Sequence, residues 1–219
     1  EKGYHYSWIV QLLPYIDQAN AFNRIDFSKS VYDRQHWPVA SHSIPLLSCP
    51  STGARGWATN YAGCHDSRET PIDVDNNGVL FLNSSISFRE ITDGRSNTLF
   101  LGEIGTVGAL GWASGTNATL RNTAAGINGY DTSSFTAAGG GGPRWASDDP
   151  TQEGDGAEMV DEDGDGEPDR DEQGLTAEDR RVLNVGGFSS PHSHGAHMAF
   201  GDGAVRFLID QIDQVVLSR

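Results

Sequence analysis

A loop-rich α+β fold built from short strands is the architecture the sequence predicts, and three observations carry that expectation. The 219 residues include 27 glycines and 9 prolines. Breakers at about one residue in six exclude a helical bundle. Near the start, Trp8, Leu12, Tyr15, Ala19 and Phe22 recur at spacings of three and four, an amphipathic helical stripe. Near the end, Ala196 to Phe200 and Ala204 to Leu208 flank Gly201-Asp202-Gly203, the pattern of a β-hairpin. Hydrophobic residues make up 37% of the chain, which excludes wholesale disorder. No apolar run approaches the roughly 18 residues of a membrane span.

The elements follow in order. Glu1-Lys2-Gly3 opens the chain without a Met, as expected of a trimmed or processed chain, with any export or anchoring segment outside this sequence. Pro14 removes a donor and disfavours helix at Leu13, so a short helix is expected from about Pro14, with its apolar face on a sheet. Residues 24–78 read as loop with brief extended segments at Ile44 to Leu47 and Trp57 to Cys64. Cys49 and Cys64, with 14 residues between them, are expected to form a disulfide worth about 3 kcal/mol; two free thiols, or half of a metal site, are the alternatives. Val79 to Leu82 is a strand candidate. Thr92 to Thr98 is a turn with capping side chains, and Thr98 to Ile104 a buried strand with Glu103 near its edge. A Gly-, Ala- and Ser-rich excursion at 105–147 and an acidic insert at 148–175 interrupt one domain spanning 1–219. A short helix is expected at Thr176 to Leu183, where a Thr cap precedes an acidic first turn. In the hairpin, Met198 and Phe200 are expected on one face, with Val205 and Phe207 on the corresponding face of the return strand. Asp210 to Leu217 closes the domain.

Charge is unevenly distributed. Acids outnumber bases 30 to 15, for a net charge of -15. Between Asp148 and Asp179 stand 15 acidic residues against one basic residue, Arg170, so the rest of the chain is close to neutral. No basic face is available for phosphates, which argues against a nucleic-acid partner. Counted from Asp161, acids occupy positions one, three, five, nine and twelve of a twelve-residue loop, with Gly166 at six. That is calcium-loop spacing, because alternating side chains around a tight glycine turn converge hard oxygens on one ion. Asp161, Asp163 and Asp165 would give carboxylates, Glu167 its carbonyl, Asp169 a direct or water-bridged contact, and Glu172 both oxygens. Pro168 and Gly174 fit an isolated loop and not a hand that opens and closes. A second run, Asp73 to Gly78, repeats only the first half of such a loop and reads as a plain turn.

Catalytic signatures are sparse. His192, His194 and His197 form a cluster without an acid inside it, with His192 and His194 on one face of an extended chain and His197 on the other; hydrogen-bonded or exposed roles outweigh a zinc site. Gly-x-Ser-x-Gly, phosphate-binding glycine motifs and His-Glu-x-x-His are absent. Glu69, Glu90 and Glu103 show no readable catalytic geometry. Trp57, Tyr61 and Trp112 fit core or loop-anchoring positions better than a ligand groove.

Five stretches together resemble the planctomycete DUF1559 family. Tyr6 to Gln18, with its Trp8 and Leu12-Leu13-Pro14-Tyr15, resembles the family's Trp-containing segment. Leu47-Ser48-Cys49-Pro50-Ser51 and Thr59-Asn60-Tyr61-Ala62-Gly63 resemble its cysteine-proline and Asn-Tyr elements. Ile91 to Glu103 fits its central run, and His192 followed after nine residues by Asp202-Gly203 matches its C-terminal signature. The resemblance implies a type IV pilin-like or pseudopilin-like fold, an N-terminal helix, truncated here, packed on an antiparallel β-sheet. It implies a structural, non-enzymatic subunit of an extracytoplasmic pilus-like assembly. Its partners would be other pilin-like subunits and, through an N-terminal hydrophobic helix not in this sequence, the membrane. Calcium fits this implication, since major pseudopilins look like calcium-stabilised folds. The alternatives are an extracytoplasmic binding module for a glycan or surface protein and, third, a hydrolase.

Overall fold

The computed structural model describes residues 4–52, 56–105, 110–129 and 184–217. Within them a five-stranded sheet is accompanied by a few short helices, an α+β arrangement. The strands are β1 (Tyr61–Asp66), β2 (Leu99–Glu103), β3 (Leu120–Asn122), β4 (Gly195–Phe200) and β5 (Val205–Ile209), in the order β3-β1-β2-β4-β5. Every pairing is antiparallel except β1 with β3, which is parallel. The sheet is therefore mixed, where a purely antiparallel one was expected. The reason is that β3, which follows β2 in the chain, pairs on the far side of β1 and runs in the same direction as it.

The N-terminal helix starts earlier than expected. α1 (Trp8–Leu12) precedes Pro14, and the chain tightens into a single 3-10 turn over Leu13–Tyr15, with α2 (Ala19–Phe22) following. The buried face also differs from the expected one. Ile9, Val10 and Leu13 are fully buried, while Leu12 and Tyr15 of the expected stripe are exposed. Ile9, Val10 and Leu13 pack with Val31, Val39, Ile44, Leu47, Trp112 and Ala113, a core of loops and short helices including α3 (Trp37–Ala40), while Trp8 of the expected stripe lies against the sheet, its Nε1 3.2 Å from where a Cβ on Gly63 of β1 would stand. Two long-range tethers fix this unit. Ser7 donates through Oγ to the Trp112 carbonyl at 2.6 Å, and Trp8 Nε1 donates to the Thr119 carbonyl at 2.8 Å.

Residues 110–129, within the expected excursion, belong to the core. Trp112, Thr119 and Asn122 are fully buried, and β3 forms one margin of the sheet. Ile44 to Leu47 contributes a 3-10 turn at Pro45–Leu47 instead of an extended segment. Val79 and Leu80 form no strand; their amides both donate to the Cys64 carbonyl. The turn before β2 is as expected, with Asn97 and Thr98 amides and the Thr98 hydroxyl all donating to the Gly94 carbonyl. A second cluster, Ala62, Cys64, Ile104, Ile127, Phe188, Ala196, Met198 and Leu217, fills one side of the sheet. Leu217 ends α4 (Gln214–Leu217), which closes against it.

The β4–β5 hairpin forms where expected, its turn held by Gly203 at φ 84° and by the Asp202 carboxylate accepting from the Ala204 amide at 2.9 Å. Its faces are the reverse of expectation. Phe207 pairs with His197 and Val205 with Ala199, so these apolar residues stand opposite the face of buried Met198, which pairs with Arg206. A turn one residue longer or shorter exchanges the faces of a return strand.

Candidate functional site

Residues from widely separated segments meet at the end of β2. Glu103, its last residue, is 4% exposed although it carries a carboxylate. Its Oε2 accepts the Ser190 hydroxyl at 3.0 Å and the His197 amide at 2.7 Å, with His197 Nδ1 at 3.2 Å. Its Oε1 lies 3.2 Å from His192 Nε2. That same nitrogen lies 3.6 Å from Cys49 Sγ. The three ligand atoms of Cys49, Glu103 and His192 all fall within 4.8 Å of one another.

Local structure positions each group. Asn60, directly before β1, accepts the Cys49 amide and the Thr52 hydroxyl through Oδ1 and donates through Nδ2 to the Ile104 carbonyl. Its backbone bonds to Leu47 and Ile104 as well. One buried amide thus ties the cysteine loop to the chain just beyond Glu103. Behind Glu103, Gly102 faces Phe188 so closely that a Cβ would fall 2.5 Å from its ring. Burial raises the Tyr61 hydroxyl pKa, and the adjacent Cys49 and Glu103 add to the rise.

The histidines group differently from expectation. Pro191 to His194 form a turn, with His194 in the left-handed region at φ 62°, so alternation along an extended chain does not apply there. His192 and His197 come together with ring centroids 5.2 Å apart, and exposed His194 turns toward Asp210. Asp202 of the C-terminal signature remains in the hairpin turn, beside Arg206.

No disulfide joins Cys49 and Cys64; both are free and buried. Cys49 is pinned at Asn60, whereas Cys64 lies four residues further along β1, a rise of about 13 Å. A disulfide needs Cα atoms within about 7 Å. Cys64 instead points its sulfur toward the Asp66 carbonyl, and burial pushes its thiol pKa up to about 12.

The geometry discriminates between chemistries. In a cysteine-nucleophile triad, one imidazole nitrogen takes the thiol proton while the other is held by the carboxylate. Here the thiol and Glu103 Oε1 both approach Nε2. A single nitrogen cannot serve both partners, so these groups do not form a proton relay.

The family described as Protein of unknown function (DUF1559) matches residues 1–215. The chain belongs to the DUF1559 family. No curated protein and no solved structure matches it. The family stretches recognised in the sequence supply Cys49, Asn60, Glu103 and His192, and in this DUF1559 chain they converge on one site. The six calcium candidates, Asp161, Asp163, Asp165, Glu167, Asp169 and Glu172, lie outside the described residues, as does the helix expected at Thr176 to Leu183. The second acidic run, Asp73 to Gly78, is a closed turn. Asn76 Oδ1 accepts the Asp73 amide, and Asn76 Nδ2 and the Asn77 amide both donate to the buried Asp66 carboxylate.

Sequence reasoning grouped His192 with His197 and paired Cys49 with Cys64, but it did not bring Cys49, Glu103 and His192 together. No spacing links positions so far apart, and only their presence in the family stretches marked three of them.

Proposed function

We propose that this chain is a non-enzymatic structural subunit of a pilus-like or pseudopilus-like assembly of the cell envelope, pilin-like in plan and acting outside the cytoplasm. The main support is the outer strand of the sheet. Val205, Phe207 and Ile209 alternate along β5, so their side chains stand on one face, and they are 66%, 45% and 54% exposed. Val215 and Val216 on α4 are exposed too. Edge strands of soluble monomers are ordinarily blunted by charges, prolines or bulges. Arg206, the charged residue of β5, alternates to the opposite face, where its guanidinium lies 4.4 Å from the Phe200 ring centroid. The apolar row is left undefended, as suits a face covered by neighbouring subunits. Among the described residues no helix is long and apolar enough to cross a membrane; in this reading a hydrophobic helix upstream anchors the full-length form and joins it to other pilin-like subunits.

Sedimentation over a concentration series is expected to show self-association. Val205→Lys with Ile209→Lys is expected to return the chain to monomer with an unchanged melting curve. In cells producing the protein with its native upstream sequence, crosslinking of the envelope is expected to give a ladder of multimers. A monomer at every concentration, together with no ladder, rules the assembly reading out.

A calcium ion held by residues 161–172 belongs to the same reading, its support being the loop spacing alone. Calorimetric titration of EDTA-stripped protein with calcium is expected to saturate near one ion per chain, and the Asp163→Ala, Asp165→Ala double variant is expected to give no heat. Heat no greater than that of a magnesium control reduces the stretch to a solvated acidic insert.

A further inference from the structure

We propose that Cys49, Glu103 and His192 form a zinc site with three protein ligands and one position left for water, separate from the acidic segment and independent of the assembly reading. Convergence is the first argument. Around a tetrahedral zinc with ordinary bond lengths, a thiolate sulfur and an imidazole nitrogen stand about 3.6 Å apart, and an imidazole nitrogen and a carboxylate oxygen about 3.3 Å apart. The separations here are 3.6 Å for Cys49 Sγ to His192 Nε2 and 3.2 Å for His192 Nε2 to Glu103 Oε1. These match two edges of a tetrahedral coordination polyhedron, and the third pair, Cys49 and Glu103, lies within 4.8 Å. A hydrogen-bonded chain would instead use different faces of the central group.

The supporting shell is the second argument. A ligating carboxylate needs one oxygen free for the metal and the other held. Glu103 Oε2 is held by the Ser190 hydroxyl and by the His197 amide, with His197 Nδ1 also in reach, while Oε1 faces His192. Cys49 is likewise fixed from behind, its amide bound to the Asn60 side chain and its carbonyl accepting the Thr52 hydroxyl at 2.8 Å. The donor set selects the ion. Thiolate with imidazole and carboxylate suits zinc, whereas calcium and magnesium take oxygen ligands. Cys49 and Glu103 are buried and the His192 side chain is 28% exposed, so the outward side is the one a water can occupy. Binding displaces the thiol proton of Cys49, so affinity rises with pH.

Cobalt as a spectroscopic stand-in for zinc gives the test, because a thiolate-to-metal charge-transfer band reports sulfur ligation that the acidic segment cannot supply. The EDTA-stripped, reduced chain is expected to bind one cobalt with that band and with the intense visible absorption of tetrahedral geometry, and zinc is expected to displace it stoichiometrically. Cys49→Ser is expected to abolish the band and Cys64→Ser to keep it. Ser190→Ala, which removes one of the donors that hold Glu103 Oε2, is expected to retain the band and weaken affinity about 10- to 100-fold. A folded wild-type chain without the band, judged by its near-ultraviolet circular dichroism, overturns the proposal even if every variant misfolds. A band that survives in Cys49→Ser overturns it equally.

Discussion

Trp112→Ala is expected to destabilise the chain by about 3–5 kcal/mol, the range for removing a fully buried tryptophan. Trp112 is fully buried at the centre of the N-terminal cluster. Its indole Nε1 donates to the His42 carbonyl at 2.9 Å, its carbonyl accepts the Ser7 hydroxyl, and its amide donates to the Trp57 carbonyl. Truncation leaves a cavity between α1 and the turns of residues 31–47 and strands the His42 carbonyl. For a chain of this size the melting temperature is expected to fall by about 6–20 °C. Trp112→Phe keeps most of the bulk but not the donor, so its loss is expected to be about 1–3 kcal/mol. Tyr15→Ala is the decisive comparison. Tyr15 lies on the helical stripe read from the sequence, yet it is 84% exposed, and its removal is expected to change stability by no more than about 0.5 kcal/mol. Chemical denaturation of the three variants checks the ranking; a Tyr15→Ala loss equal to that of Trp112→Ala contradicts the packing described.

Acid is expected to destabilise the protein in two stages, both originating beside β1. His65 is buried, and its Nδ1 lies 3.1 Å from Asn76 Oδ1. Burial is the main cause that pushes its pKa below the ordinary histidine value, against the opposing pull of Asn76 and Asp66. A depressed histidine contributes stability that is fully present above the unfolded value of about 6.5 and is lost as pH falls toward the folded one. For Asp66, burial acts upward, but hydrogen bonds from Arg68 and the Asn77 amide outweigh it and set the pKa below the usual aspartate value. Its contribution is present above about pH 3.9 and is lost as pH falls through the folded value. The melting temperature is therefore expected to decline first below about pH 6.5 and again below about pH 4. Asp66→Asn is expected to cost at least about 3 kcal/mol at neutral pH, since the Arg68 amide and side chain, Asn76 Nδ2 and the Asn77 amide all lose a charged acceptor. It is also expected to flatten the second stage. An unaltered acid limb in that variant removes Asp66 as its source.

Elements specified by neighbouring residues were legible in the sequence. The turn before β2, β2 itself and the Gly201-Asp202-Gly203 hairpin each depend on side chains within a few positions. The buried face of the first helix was not, because Ile9 and Leu13 keep the same four-residue helical spacing as Trp8 and Leu12, one position out of phase, and periodicity alone does not choose between the two. Nor was β3, where Leu120-Arg121-Asn122 lacks any strand-like apolar pattern and is placed by its parallel partner. Hairpin faces depend on a turn register that composition does not fix. The candidate site was least legible of all, since Cys49, Glu103 and His192 are united only by the folding of distant segments. What the sequence did reveal was their membership in recognisable stretches, and those stretches turn out to share one location.

The Ser7 and Trp8 tethers have a consequence for synthesis. The partners of Ser7 lie 105 residues later in the chain, and the carbonyl that receives the Trp8 indole lies 111 residues later. At ribosomal rates of roughly 5–20 residues per second, Ile9, Val10 and Leu13 wait about 5–20 s before Trp112 can cover them. β4, the partner on the other side of β2, is made later still. Nascent chains of this protein therefore carry an apolar N-terminal segment that cannot be buried natively until most of the polypeptide exists. That interval is the period in which a holding chaperone has an unfolded substrate to engage.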